Sequence, residues 1–263
     1  MVGMQISFTL EGRNALVCGG TAGIGQAIAI AFAEAGAAVT VMGRSEERLQ
    51  ATLERLAGTG HQALRADFSD LRQVESAIAE RSARGPLHVV VNNTGGPAAG
   101  RVSETHHEPL VDAFRMHVAT AQVILAAVLP GMKSEGYGRI INVISTSVIT
   151  PILGLGVSNT VRGAMANWGR TMAAELGEFG ITVNNLLPGF TDTDRLSSLF
   201  EGKAERLGTT PQSVRDQALA TIPLGRIGAP EELAAAALFL ASPAGGYVSG
   251  VNLPVDGGRV CKG

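Results

Sequence analysis

ALVCGGTAGIG, residues 15–25, is the stretch that decides the fold. A short apolar run ends at Cys18, three glycines follow at G-x3-G-x-G spacing (Gly19, Gly23, Gly25), and an Ala-rich helical pattern begins at once. Strand, Gly turn and helix N-terminus together turn free backbone N–H groups and the positive helix end toward a pyrophosphate. A plain tight turn uses the same glycines. Their position inside a strand-turn-helix unit favours the phosphate reading.

Outward from that unit, β-branched runs alternate with amphipathic or Ala-rich stretches, the pattern of a parallel sheet with crossover helices. Strands are expected near 14–19, 37–42, 62–66, 87–92, 139–145, 181–187 and 251–255, and helices over 23–35, 45–57, 70–83, 108–133, 155–179 and 230–241. The expected fold class is α/β, a doubly wound, Rossmann-like parallel sheet in one domain spanning 1–263. One stretch, 190–222, is too long for an unstructured connection and predicts a substrate lid with short helices.

Composition narrows the function. With 21 Lys+Arg against 23 Asp+Glu, net charge −2, and no basic run, nothing draws the chain to nucleic acid. Two cysteines (Cys18, Cys261) and five His lack metal-ligand spacing, so no metal is expected. The start, MVGMQISFTLEGR, does not read as a secretory signal, and the longest helical apolar run, 233–241, falls far short of a bilayer span. A cytoplasmic protein without membrane contact is the expectation.

The second strand ends at Gly43-Arg44 with no acid to accept ribose hydroxyls, and a guanidinium fork at Arg44 matches a 2′-phosphate. NADP(H) is therefore favoured over NAD(H), with a solvated Arg44 as the other reading. Asp67, after the third strand, either holds the adenine amino group or caps the following helix. Asn92-Asn93-Thr94-Gly95 closes the fourth strand where backbone passes close to a cofactor.

Gly19–Gly25, Asp67-Phe68 and NNTG, continued by GRIINVIS, ITVNNLLPGFTDT and SGVNLPVDGG, resemble the short-chain dehydrogenase/reductase family over nearly the whole chain, closest to its β-ketoacyl carrier-protein reductases. The resemblance implies cofactor contacts at Gly19, Thr21, Gly23, Ile24, Gly25, Arg44, Asp67, Phe68, Asn93, Gly95, Arg162, Pro188, Gly189 and Thr193. It implies a small-molecule or acyl-type substrate, and assembly as a homodimer or homotetramer through 108–133 and 155–179.

Ser145 falls where this family has the serine that meets the substrate oxygen. Thirteen residues later, where the family carries Tyr-x3-Lys, the chain reads Ser158-Asn159-Thr160-Val161-Arg162, and His117 stands at the family's active-site Asn. Only Tyr137 and Tyr247 exist. Tyr137 precedes Ser145 by eight residues of strand, about 26 Å, and Tyr247 precedes the last strand, so both belong at the far edge of the sheet.

A Ser hydroxyl is a weak acid and Arg holds its proton firmly, so Ser145, Ser158 and Arg162 can stabilise an oxyanion but not act as a strong general acid. That loss costs roughly 10²–10⁴-fold in rate. His117 is either a proton relay through water or a packed helix residue. Two readings stay open: an NADP(H)-dependent oxidoreductase with a non-standard active site, acting on a carbonyl or conjugated enone, and a catalytically silent NADP(H)-binding homologue that senses cofactor or supports an assembly.

Overall fold

The structure, a computed structural model, describes residues 6–262. Residues 1–5 and 263, the ends of the expected single domain and the first part of the segment read for a signal, lie outside the described residues. The strands are β1 (Asn14–Cys18), β2 (Ala38–Gly43), β3 (Gln62–Arg65), β4 (Val89–Asn92), β5 (Gly138–Val143), β6 (Ile181–Pro188) and β7 (Asn252–Val255). They form one sheet in the order β3-β2-β1-β4-β5-β6-β7, every pair parallel. Chain direction across the sheet reverses between β1 and β4, and that switch point opens a crevice at the strands' C-terminal ends.

The period-2 geometry of a strand sends alternate side chains to two cores. Ala15, Val17, Val39, Val41, Val89 and Val91 pack on one face with α1 (Gly23–Glu34) and α9 (Pro230–Ala241). Leu16, Cys18, Met42, Val90 and Ile140 pack on the other, against α3 (Leu71–Ser82), α5 (Thr120–Glu135) and the end of α6 (Gly156–Leu176). Helix starts are set by short polar side chains: Ser45 Oγ accepts from Arg48 N at 3.3 Å to cap α2 (Glu46–Leu53), and Asp70 accepts from Arg72 N and Gln73 N to cap α3. Ala22, before α1, has no such oxygen, so its first N–H groups keep no side-chain acceptor.

Two expectations need correction. The helix expected over 108–133 is α4 (Glu108–Phe114), a wide π-type turn over Arg115–Ala119, and then α5. At that turn Thr120 Oγ1 donates to Arg115 O at 3.1 Å and to Phe68 O at 3.4 Å, tying it to the loop before α3. The composite helix Glu108–Glu135, which contains an 18-residue stretch of mean hydropathy 1.4, also exceeds 233–241 as an apolar helix and is long and apolar enough to cross a membrane. Here Ile124, Leu125, Val128 and Met132 are buried in the second core, which accounts for that composition.

Residues 190–222 hold α7 (Asp194–Leu207) and α8 (Pro211–Ala220). Leu196, Phe200, Ala204, Val214 and Ala218 make a small core of their own there. α7, at fourteen residues, is longer than the short helices expected.

A polar line crosses the sheet near its C-terminal side. Asn92, Asn142, Asn185 and Asn252 lie in register on β4 to β7. Asn92 Nδ2 donates to Asn142 Oδ1 (2.9 Å), Asn142 Nδ2 to Asn185 Oδ1 (2.9 Å), and Asn185 Nδ2 to Asn252 Oδ1 (2.8 Å) and to Ala166 O on α6 (3.1 Å). The ladder locks strand register and seats α6, because a buried amide left unpaired costs about 1–3 kcal/mol.

Gly169 faces that ladder: a Cβ there would stand 2.5 Å from Asn185 Oδ1 and 2.7 Å from Asn142 Nδ2. Gly163, on the same helix, would meet nothing within 4 Å. We expect Gly169→Ala to lower stability by about 1–3 kcal/mol and Gly163→Ala to raise it by roughly 0.5–1 kcal/mol through helix propensity. Urea midpoints of the two variants check this; equal shifts would contradict the ladder's role.

Candidate active site

A cleft of about 850 Å³ opens at the switch point. It gathers Gly19, Thr21, Gly23, Ile24, Gly25, Asn93, Gly95, Ser145, Ser158, Arg162, Pro188, Gly189 and Thr193 from five separate segments. Arg44, Asp67 and Phe68 do not line it. Arg44 is exposed after β2, Asp67 Oδ1 accepts from Ser69 N (2.9 Å) and Ser69 Oγ (2.8 Å), and Phe68 packs on the second core. Those two bonds, chiefly, hold the Asp67 carboxyl below the usual carboxylate range, with Arg44 a smaller contributor. The helix cap that follows is Asp70, so the capping alternative for Asp67 is corrected.

The Gly turn is a cradle with no room for side chains. Gly19 has φ +58°, and a Cβ there would sit 2.4 Å from Asn93 O; a Cβ at Gly25 would sit 2.2 Å from Gly19 O. Asn93 Nδ2 donates to Cys18 O (3.3 Å) and Gly19 O (3.2 Å), pinning the turn to the end of β4. Thr193 caps α7 by accepting from Leu196 N at 3.3 Å, and a Cβ at Gly23 would lie 3.0 Å from its methyl carbon. A helix start without side-chain cap, flanked by glycines that admit close approach, fits a dinucleotide pyrophosphate.

Opposite the turn, Ser145 Oγ accepts from Ser147 N at 3.0 Å, which leaves its O–H to donate. Ser158 and Arg162 stand one turn apart on α6, on the same face. Arg162 is buried; Nη1 donates to Val143 O (2.9 Å) and Nη2 to Thr94 O (3.5 Å). It makes no ion pair among the described residues. Burial, then the charge of Arg195, pushes its pKa down to about 10, so the guanidinium stays protonated near neutrality.

Neither tyrosine reaches the cleft. Tyr137 donates to Ala241 O (3.0 Å) with its ring between Arg13 (3.8 Å) and Arg139 (4.2 Å), and Tyr247 is fully exposed.

His117, in the π-type turn, lines a separate cavity of about 10 Å³ with Asn92, Thr94 and Arg162, the room of one water molecule. Its Nδ1 hydrogen-bonds Thr94 Oγ1, while Nε2 is buried without a partner, as is Asn92 Oδ1. Burial first, and Arg162 second, push its pKa down to about 3. A relay titrating near neutrality is therefore corrected to a neutral, packed imidazole. His106 and His107 are exposed at the start of α4.

Three cleft arginines were not among the site residues read from the sequence: Arg48, Arg195, which fell only within the expected lid, and Arg259. Arg48 was within reach of it, lying four residues after Arg44 on an expected helix. Arg195 and Arg259 come from the start of α7 and from the C-terminal segment, which no periodicity relates.

The depressed His117 pKa has a stability consequence. An unfolded His takes its proton near pH 6.5 and the folded one near 3, so between those values the unfolded state binds more protons and stability falls as pH falls. The stabilisation is complete above pH 6.5. We expect a loss of about 2 kcal/mol from this group at pH 5 relative to pH 8. Urea titrations should show that slope reduced in His117→Asn; an imidazole titrating near 6.5 by NMR would refute the assignment.

The family profile described as Enoyl-(Acyl carrier protein) reductase matches residues 19–259. The chain is 36% identical to the short-chain reductase protein NovJ of Streptomyces niveus over 93% of both chains. It is 33% identical to the 3-oxoacyl-[acyl-carrier-protein] reductase FabG of Vibrio cholerae, over 95% of this chain and 98% of that one. Among solved structures, L-sorbose reductase from Gluconobacter frateurii, crystallised with NADPH and L-sorbose, superposes with a TM-score of 0.89 at 26% identity, over 97% of this chain and 99% of that one. With the Gly cradle, the switch-point cleft and these relatives in agreement, the chain belongs to the short-chain dehydrogenase/reductase family.

Proposed function

We propose that this protein is an NADPH-dependent reductase with a non-standard active site, acting on a conjugated enone or similarly activated acceptor. The observation that carries the reading is a cleft in which Ser145, Ser158 and Arg162 face the Gly cradle while both tyrosines lie elsewhere. Ser158 and Arg162 then stand in place of the family's Tyr and Lys.

The 19–25 turn, Asn93, Gly95, Pro188, Gly189 and Thr193 would hold the cofactor's diphosphate and nicotinamide end, with Asp67 and Phe68 toward adenine. Arg44 and Arg48 would take the 2′-phosphate, in keeping with the NADPH bound by the sorbose reductase relative. NADPH supplies a hydride when bound. As the far carbon of an enone accepts it, charge collects on the carbonyl oxygen, where the two Ser hydroxyls donate and Arg162 adds a fixed positive field. A solvent proton completes the reduction at carbon, so no strong acid has to touch the oxygen in the slow step. Reduction of a saturated ketone lacks that route.

Residues 190–222 act as the substrate lid, since 190–196 form one wall of the cleft. The reading includes a cytoplasmic homodimer or homotetramer through α4, α5 and α6, and Val111 and Phe114 of α4 are exposed apolar side chains that such an interface would cover.

NADPH should bind more tightly than NADH by about 1.5–3 kcal/mol, and Arg44→Ala with Arg48→Ala should remove the difference. Fluorescence titration decides it; equal affinities in the unmutated protein would refute the 2′-phosphate assignment.

With NADPH and matched carbon skeletons, the enone should turn over faster than the saturated ketone. Ser145→Ala should cost on the order of 10²-fold in that rate, as for one oxyanion donor. A faster ketone would reject conjugate reduction. No turnover of either across a broad screen, with NADPH still bound, would favour the silent binding protein.

A further inference from the structure

The cleft wall carries Arg48, Arg162, Arg195 and Arg259 against only Asp192 and Asp194. None of these arginines forms an ion pair among the described residues. Arg162 is buried, Arg259 half-buried, and Arg48 and Arg195 exposed, so the cleft carries an excess of positive charge that draws an anionic ligand. Arg48 belongs with the 2′-phosphate, and the diphosphate is served by the Gly cradle. That leaves Arg195 and Arg259 in the same cleft as Ser145 and Ser158 without an assigned anion.

Arg195 is the free element of that group. Its Nη2 donates to Pro97 O at 2.7 Å, which draws the start of α7 down onto the 94–97 segment, and among the described residues no other hydrogen bond engages its guanidinium. A Cβ at Gly96 would stand 3.4 Å from Nη2, so the side chain lies along that segment. Arg162 is close enough to feel its charge. Arg259, held over the Phe190 ring at 4.8 Å, has a buried Nε without an acceptor.

We infer that the acceptor carries a carboxylate, bound by Arg195 on the first turn of α7, with Arg162 as a fixed charge behind it. This names the substrate class of the reductase reading above and rests on it. A planar carboxylate matches the remaining N–H edge of a guanidinium whose orientation the Pro97 carbonyl sets. Arg195 then does two things at once: it latches the lid to the 94–97 segment and selects the acceptor by charge.

Calorimetry on the NADP⁺-saturated protein tests this, using three enone carboxylates of different size, each paired with its carboxamide. The carboxylate of at least one pair should bind roughly 10- to 100-fold more tightly than its amide, the scale of a hydrogen bond to a charged group. Arg195→Met should bring that ratio toward one and Arg195→Lys should restore part of it. Equal binding within every pair, or no binding by any of the six compounds, overturns the inference. So does an Arg195→Met protein that weakens both members equally, since that is a bracing role, or one that loses only NADP⁺ affinity. Turnover of the same compounds with NADPH is read separately: carboxylate preference without turnover removes the reductase reading alone, and turnover without preference removes the carboxylate alone.

Discussion

The site depends on one small contact, the amide of Asn93 holding the carbonyls of Cys18 and Gly19. It joins the end of β4 to the turn after β1, the two strands between which the sheet changes direction. Because Gly19 and Gly25 lack side chains, the turn closes to distances at which any Cβ would strike backbone. α1 therefore starts against the sheet with its N–H groups turned to the cleft. A larger residue at either position would move the cradle, and the opposite wall would have nothing to face.

That opposite wall is set by the Asn ladder. Four amides in register couple β4 to β7, and the second bond of Asn185 reaches α6 at Ala166. α6 carries Ser158 and Arg162, so polar groups buried near the strands' C-terminal ends determine where the site's cation sits. The outermost amide, Asn92, leaves its oxygen at the small cavity shared with His117, where regular pairing gives way to the irregular backbone of the π-type turn.

Arg162 shows how the same burial shapes chemistry. Taken from water and given two carbonyls, it remains a cation with no carboxylate partner among the described residues. It also suppresses protonation of His117, so two titratable groups on neighbouring helices have opposite charge preferences in one low-dielectric region. The site is thus rich in fixed positive charge and hydroxyl donors and poor in groups that exchange protons near neutrality.

Much of this was legible in the amino-acid order. β-Branched apolar runs alternating with crossover helices determined the parallel sheet, and the spacing of Gly19, Gly23 and Gly25 determined the cradle, because local sterics dictate both. The reach of a strand also placed Tyr137 at the far edge. Sequence separation hid the rest. His117 stayed open between relay and packed residue until Thr94 and Arg162, distant in the chain, were seen packed against it, since a pKa is set by surroundings rather than residue type. Asp67 and Asp70 could not be told apart as caps without the geometry of the turn. Arg195 and Arg259 reach the cleft from segments that only folding brings together, and the asparagine ladder needed a strand order that hydrophobic periodicity does not encode. Local backbone preferences belong to the sequence itself; burial, charge proximity and the meeting of distant side chains belong to the tertiary structure, where desolvation and Coulomb interactions take their strength.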